Sequence, residues 1–485
     1  MLNYRIIARA FAGLIGLEGL LFMVCWLVGI GYGEHHHSTW LIPIGICAAL
    51  SVILGLLGGK GPTRVERRDG FFIVAMVWLI YCALGMLPFL FGGHLHRVSE
   101  AFFETMSGFT TTGSTVFTDI DSLPHSILLW RSVTHWVGGM GIIFFTLALL
   151  PALGIGEQEL FTAEATGLKL GKLHSRVSTT AHYLWSTYLL ITIACAIAYG
   201  LCGMNTFDAI NHSFATIATG GFSTHTANIA YFNSPAIEYV SVVFMFLGAT
   251  NFTLLYFVLF KRRFKLFWRD EELRLFILLI FGFTAVCTLS QWWHSHDFTE
   301  HGFRESLFYV VSMMSTTGFT TENFMTWPHL TWISLLIVSA IGSCTGSTSG
   351  GIKVVRVLAG IKVVRNEIHH VLHPRSIRPL RINSDYITPE VLQSIFAFLC
   401  CFTVLMVIGV IVFVTLGYPV FDSLGLSISA YSNVGPGIGY SLGPLDSWSE
   451  LPDTGLWLSS FLMIAGRLEI FGLLLPFTPS FWRYN

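Results

Sequence analysis

Four times along the chain an acidic residue is followed, thirteen positions later, by a glycine set among small and hydroxyl-bearing residues, with long apolar runs on either side. The acids are Glu100, Asp208, Glu305 and Asp422. The glycines are Gly113 in "TTTGST", Gly221 in "ATGGFS", Gly318 in "STTGFT" and Gly435 in "SNVGPG". The shared offset makes Gly221, rather than Gly220, the equivalent position in the second unit. A chain built this way must fold as four like units, and the polar stretches must find a common use.

The setting of the repeat is a lipid bilayer. Of 485 residues, 53% are hydrophobic and only 11% charged, and mean hydropathy is +0.66. Uncharged windows of about 20 residues, the length that crosses a hydrocarbon core, recur throughout. The N-terminal run from Met1 to Ile30 is apolar for too long, and lacks the small-residue cleavage site, to be a signal peptide, so it reads as a retained helix. The nine cysteines show neither zinc spacing nor an extracellular pairing framework and read as small core residues. Net charge is −1 and says nothing about an acidic or basic partner, no nucleic-acid partner is expected, and the distribution of the charge is informative. Most of the 27 basic residues fall in Arg5–Arg9, Lys60–Arg68, Lys169–Arg176, Lys261–Arg274 and Lys353–Arg381, together with Arg483. These groups share one side of the membrane, which the positive-inside bias makes the cytoplasm, so both termini are expected there. The opposite loops carry Asp119, Asp121, Glu300, Glu322, Asp446, Glu450 and Asp453, an external mouth that attracts cations.

The predicted fold is an all-α polytopic membrane protein. Two extra transmembrane helices (about 3–30 and 39–58) precede four fused units of span, pore helix, filter loop and span in pseudo-fourfold arrangement. The first spans are expected near 70–93, 180–202, 272–293 and 388–417, and their partners near 126–150, 235–260, 330–372 and 456–481. This divides the chain into 1–69, 70–179, 180–271, 272–387 and 388–485. The segment between acid and glycine is a dozen residues, about 18 Å of helix, and reaches only halfway through the bilayer. An acid at its start complements the positive end of the helix dipole, and its negative end points into the membrane. Extended backbone at that depth is tolerable only where protein buries it or water reaches it.

Carbonyl oxygens from converging strands can replace the hydration shell of a potassium ion, and glycine allows the conformations that aim them inward. The candidate filter is Thr111, Thr112, Gly113; Thr219, Gly220, Gly221; Thr316, Thr317, Gly318; and Asn433, Val434, Gly435, with potassium at these residues as the only metal. A single such stretch would read as a tight turn; four with a common spacing read as a pore. On these motifs, and over nearly its whole length, the sequence resembles the Trk/Ktr/HKT superfamily of potassium transporters, nearest its bacterial TrkH branch. It departs from a uniform filter in the fourth unit, where Asn433, Val434 and Pro436 replace hydroxyl-rich surroundings. The resemblance implies four fused potassium-channel-like units and uptake of potassium, with rubidium, through a gated pore in the bacterial inner membrane.

The partner span of unit three breaks at "GSCTGSTSGG", Gly342 to Gly351, too rich in glycine and hydroxyls for a lipid-facing helix. From the residues it is a cavity-lining break or a simple kink. The resemblance implies a gate that obstructs the pore, with Gly342, Ser343, Gly346, Ser347, Gly350 and Gly351 as its candidates. Arg467 lies in an otherwise apolar span, where a cation costs at least about 2.5 kcal/mol unless water or an anion meets it. It should face the cavity or pair with a carboxylate; Glu469, two residues on, is not on its face. The resemblance places it in the permeation path as a second gate element.

The histidines His35–His37 and His294, His296 and His301 are metal-ligand types without ligand spacing and read as external loop residues. The chain carries no GxGxxG or Walker motif and no cofactor is expected in it. The resemblance implies a cytosolic TrkA-type regulatory subunit that holds a nucleotide of the NAD or ATP class, and a homodimer. Two other functions compete. A symporter coupled to protons or sodium would need membrane-buried acids, and the spans offer mainly Glu18 and Glu469. A membrane enzyme or structural membrane partner would need a cleft of titratable groups, and the concentrated feature here is backbone-rich loops.

Overall fold

Two apolar helices open the chain, α1 (Tyr4–Gly31) and α2 (Ser38–Gly58), and their seam is made of small residues. A Cβ on Gly19 would lie 3.1 Å from that of Cys47, and Ser51 donates its hydroxyl to the Ala12 carbonyl at 2.7 Å, so the backbones approach closely as packed membrane helices do. The structure is a computed structural model and describes residues 2–59, 66–141, 177–295, 299–375, 379–383 and 385–482.

The four units follow. Unit one holds α3 (Arg67–Gly85), its short continuation α4 (Leu87–Phe91), the half-length α5 (Val98–Phe109) and α6 (His125–Gly139). Unit two holds α7 (Val177–Leu201), the half-length α8 (Thr206–Ile217), α9 (Pro235–Gly248) and α10 (Phe252–Leu259). The short α11 (Phe264–Arg269) leads into unit three, α12 (Glu271–Ser295), α13 (Glu300–Met314), α14 (His329–Ile341) and α15 (Val354–Leu372). A two-residue pairing of Arg381–Ile382 with Asp385–Tyr386 precedes unit four: α16 (Pro389–Thr415), α17 (Val420–Tyr431), α18 (Asp453–Arg467) and α19 (Phe471–Leu474). Among the described residues six helices are long and apolar enough to cross a membrane, or eight if each of two bent pairs is one span. One buried apolar cluster joins α1 to α6 with unit four, and a second joins units two and three.

The partner spans differ from the expected continuous runs. A break was expected in unit three alone, but the chain turns by 105° between α9 and α10 and by 110° after α18. Hydropathy cannot show such a turn, because both pieces are apolar. In unit two the Asn251 side chain accepts the Thr253 N–H at 2.8 Å and starts a new helix, and the break is bonded to the backbone of 344–348. In unit four Glu469 and Ile470 both take positive φ, 51° and 64°. The first-unit partner, expected at 126–150, is described only to residue 141 and its α6 ends at Gly139. A smaller correction concerns unit three, whose α13 begins at Glu300, so Glu305 sits in the second turn rather than at the start. Of the cysteines, six are buried, while Cys202 and Cys401 are partly exposed and Cys400 is exposed.

Candidate ion-conduction site

Each half-length helix ends the same way. The residue two before the repeat glycine turns left-handed: Thr111 (φ 54°), Thr219 (53°), Thr316 (58°) and Asn433 (57°). The next N–H then reaches back five residues, Thr112 to Ser107, Gly220 to Ala215, Thr317 to Ser312 and Val434 to Ser429, at 2.8 to 2.9 Å. This is a helix-ending αL turn that usually takes glycine or asparagine. A β-branched threonine there is strained by about 1 kcal/mol or more and persists only because its surroundings over-determine it. The repeat glycines follow with φ of 86°, 85°, 73° and 108°. Left-handed residues on either side of one that is not left-handed turn successive carbonyls toward one side.

The glycines close a ring. A Cβ on Gly113 would stand 2.1 Å from the Gly220 carbonyl oxygen, one on Gly221 2.1 Å from that of Thr317, one on Gly318 1.9 Å from that of Val434, and one on Gly435 2.4 Å from that of Thr112. Each unit therefore meets the next in the order one, two, three, four, one. No residue with a side chain fits at any of these four positions. The Thr112, Thr219, Thr316, Thr317, Asn433 and Val434 side chains are all fully buried. The Thr112 hydroxyl is 2.8 Å from that of Thr110, and the Thr317 hydroxyl 2.7 Å from that of Ser315, so these side chains brace the strands while the carbonyls stay available. The fourth-unit departure has a use: Asn433 Nδ2 donates to Thr112 Oγ1 at 3.0 Å and to the Met463 carbonyl at 2.8 Å, tying unit four to unit one.

Behind the ring, acids hold the returning strands. Asp208 accepts the Thr224 hydroxyl at 2.6 Å, Glu305 accepts that of Thr321, and Asp422 accepts the Tyr440 and Ser441 N–H groups at 3.0 and 2.8 Å. In unit one the task falls to Glu104, which accepts the Val116 N–H at 2.9 Å and pairs with Arg131 at 2.9 Å with both side chains buried, while Glu100 pairs with Arg97 outside. The sequence reading gave these acids a role in the helix dipole; the geometry adds that they pin the loops.

Beneath the ring lies the segment Gly342 to Gly351. Its backbone fits the break of unit two: Cys344 N–H donates to the Ala249 carbonyl (3.2 Å), Thr348 N–H to that of Gly248 (3.3 Å), and Phe252 N–H to the Gly346 carbonyl (3.0 Å). Irregular backbone inside a membrane is thereby satisfied by protein. The Thr348 hydroxyl donates to the Ile217 carbonyl at 3.0 Å and lies 3.1 Å from the Thr219 hydroxyl. Gly350 N–H donates to Thr316 Oγ1 at 2.9 Å, and Gly350 is held against the Ser432 carbonyl, where a Cβ would fall at 2.3 Å. Ser343 and Ser347 join Ser349 in one hydroxyl cluster, while Gly342 and Gly351 pack on each other. Glu272, at the start of α12, accepts the Thr345 N–H at 2.6 Å and the Val355 N–H at 3.1 Å, and so holds both ends of the segment.

Arg467 completes the floor. Its guanidinium donates to the carbonyls of Thr348, Gly138 and Gly139 and to the Thr111 hydroxyl at 3.2 Å. One side chain thus links units one, three and four directly under the ring. Glu469 points away from it and pairs with Arg356, whose guanidinium also lies 3.9 Å from the Phe398 ring centre. The residues that sequence reasoning missed are Glu104, Arg131, His135, Glu272 and Thr348. Arg131 and His135, one turn apart in a span, carried a legible signal; Glu272 and Thr348 did not. Glu18 is buried, near Gly85, and its carboxyl has no hydrogen-bond partner among the described residues. Trp26 donates to His37, and His294 bonds its own helix; His296 lies outside the described residues, among which no three His, Cys, Asp or Glu side chains form a metal-holding group.

A family model described as "TrkH: Cation transport protein" matches residues 36–484. The Trk system potassium uptake protein TrkH of Escherichia coli K12 is 36% identical over 482 residues, covering 98% of this chain and 99% of that one. The TrkH of Halomonas elongata is 34% identical over 487 residues, covering 99% and 100%. The crystal structure of the potassium transporter TrkH from Vibrio parahaemolyticus superposes with a TM-score of 0.89 at 35% identity, covering 99% of this chain and 100% of that one. The ring, the segment beneath it and the near full-length likeness agree: this chain is a multi-pass membrane protein of the TrkH family of cation transport proteins.

Proposed function

We propose that this protein takes up potassium through a selective, gated pore along the axis of the glycine ring. The observation that carries the reading is the closed succession of glycine-to-carbonyl contacts, which surrounds one axis with carbonyl oxygens from all four units. The filter is Thr111–Gly113, Thr219–Gly221, Thr316–Gly318 and Asn433–Gly435. The segment Gly342–Gly351 and Arg467 block the path below it and form the gate. The relatives named above are potassium uptake proteins and transporters, which supports the substrate and fits a protein that is not an enzyme.

The distribution of basic residues supports cytoplasmic termini, and the bacterial relatives support an inner-membrane location. The cytoplasmic side would receive a regulatory subunit that carries the nucleotide, as the Trk system of the relatives suggests, and a homodimer is the expected assembly. Gly318→Ser tests the filter in liposomes containing the purified protein. An added side chain at a position where a Cβ would meet the Val434 carbonyl at 1.9 Å should lower the preference for potassium over sodium by about tenfold. A variant with the wild-type preference would remove the ring from the permeation path.

A further inference from the structure

The second filter strand differs from the others at one place. Thr112, Thr317 and Val434 precede the repeat glycine in units one, three and four, but Gly220 does so in unit two. Gly220 is not left-handed, so its conformation does not require glycine. The space for its side chain is already filled: a Cβ there would lie 2.5 Å from the imidazole ring of His135. His135 comes from α6 of unit one and is fully buried. Its Nε2 accepts the Phe222 N–H at 3.1 Å, so the ring proton is on Nδ1, which donates to the Gly108 carbonyl at 2.7 Å. The ring stacks on Phe222 with centres 4.0 Å apart. One turn earlier, Arg131 donates to the Ser223 carbonyl at 3.0 Å and lies over the same Phe222 ring.

We propose that His135 is a positioning residue for ion selectivity, standing in for the side chain that the second strand lacks and fixing that strand by packing on Gly220 and bonding the Phe222 N–H. The inference rests on the reading of the ring as a filter. In units one and three a threonine hydroxyl braces its own strand against Thr110 or Ser315. In unit two a neighbouring unit supplies the brace from outside. The imidazole makes one bond to the end of the first half-length helix and one to the second strand, so the two strands are set in register by a single neutral ring. Loss of the buried hydrogen bond that fixes the Gly221–Phe222 peptide alters the balance between ions of different radius by about tenfold.

The test is flux through purified protein in liposomes under potassium and sodium gradients, for His135→Ala, for Gly220→Thr, for the double variant and for Gly318→Ser as reference. His135→Ala should lose about tenfold in potassium over sodium preference. Gly220→Thr alone should also fail, because its side chain meets the imidazole. The double variant puts a threonine side chain into the space the imidazole leaves, although Ala218 stands where Thr110 and Ser315 carry a hydroxyl, and should recover part of the preference. Recovery separates positioning from general stability, since a purely structural histidine would not be rescued by threonine on another strand. Wild-type selectivity in His135→Ala, or a double variant no better than the worse single one, would overturn the proposal. If Gly318→Ser is selective too, the filter reading itself is at fault; if only His135→Ala is, the filter stands and the histidine role falls.

Discussion

At the scale of single residues, the glycine ring depends on side chains that brace it from behind and below. Asn433 adopts the left-handed turn that asparagine tolerates better than threonine, and spends its amide on Thr112 and Met463. Arg467 does the opposite: it brings a permanent charge under the ring and holds it with carbonyls from two other units. Replacing Arg467 by alanine removes a cation from the path of cations, and resting potassium flux should rise on the order of tenfold. Unchanged flux in the same liposome assay would deny it a role in closure. A third residue works on the outer side. The His225 ring, stacked on Tyr231, sits 2.7 Å from an Asp121 oxygen through Nδ1 and 3.1 Å from an Asp208 oxygen through Nε2. His212 also faces Asp208, bonding its carbonyl through Nδ1. Burial pulls the His225 pKa down, but its bonds to the two carboxylates outweigh burial and hold it above 6.5. A raised pKa means that the bridge stabilises the outer loops fully below pH 6.5 and loses that contribution as pH rises through the folded value. The melting temperature of the wild type should therefore exceed that of His225→Gln at pH 6 and approach it as the solution becomes alkaline. A difference that grows with pH would contradict the assignment.

At the scale of elements, the half-length helices and glycine strands were legible in the sequence because the acid-to-glycine offset repeats. The offset gave a segment of a dozen residues in each unit, and α5, α8 and α17 each have twelve. What stayed hidden was the course of the partner spans. Pro235 to Leu259 reads as one apolar run, yet its turn is made by Asn251 and by backbone bonds to residues about a hundred positions away. Long-range bonds of this kind leave no periodic trace. The same holds for Glu272, which lies in the first turn of α12 and whose carboxylate accepts the N–H groups of Thr345 and Val355. Helix packing around the ring is equally tight. A Cβ on Gly138 in α6 would lie 1.9 Å from the Phe109 carbonyl oxygen. Gly138→Ala should destabilise the detergent-solubilised protein by about 1–3 kcal/mol, seen as a lower melting temperature. Gly200→Ala, with nothing within 4 Å, should leave it unchanged or slightly raised. Equal effects at both sites would show that the close approach at Gly138 is not under load.

At the scale of the whole molecule, fourfold arrangement and inequality of the four units go together. The ring needs four glycines and takes them from four copies, but each copy then carries a separate duty. Unit one supplies Arg131 and His135 to its neighbour, unit three supplies the segment Gly342–Gly351, and unit four supplies Arg467. A fusion of four units can distribute such duties, whereas four identical subunits would repeat every one of them around the axis. The acids that coupling to protons would use are engaged or remote: Glu469 pairs with Arg356, and Glu18 stands among the N-terminal helices beside Gly85. Conduction down a potassium gradient is the behaviour this architecture supports. The direct measurement is flux in liposomes holding the purified chain, with potassium, rubidium, sodium and lithium gradients applied in turn and no other driving ion present. The account predicts flux of potassium and rubidium well above that of sodium and lithium, under their own gradients alone. Flux that appears only when a proton or sodium gradient is added would contradict it.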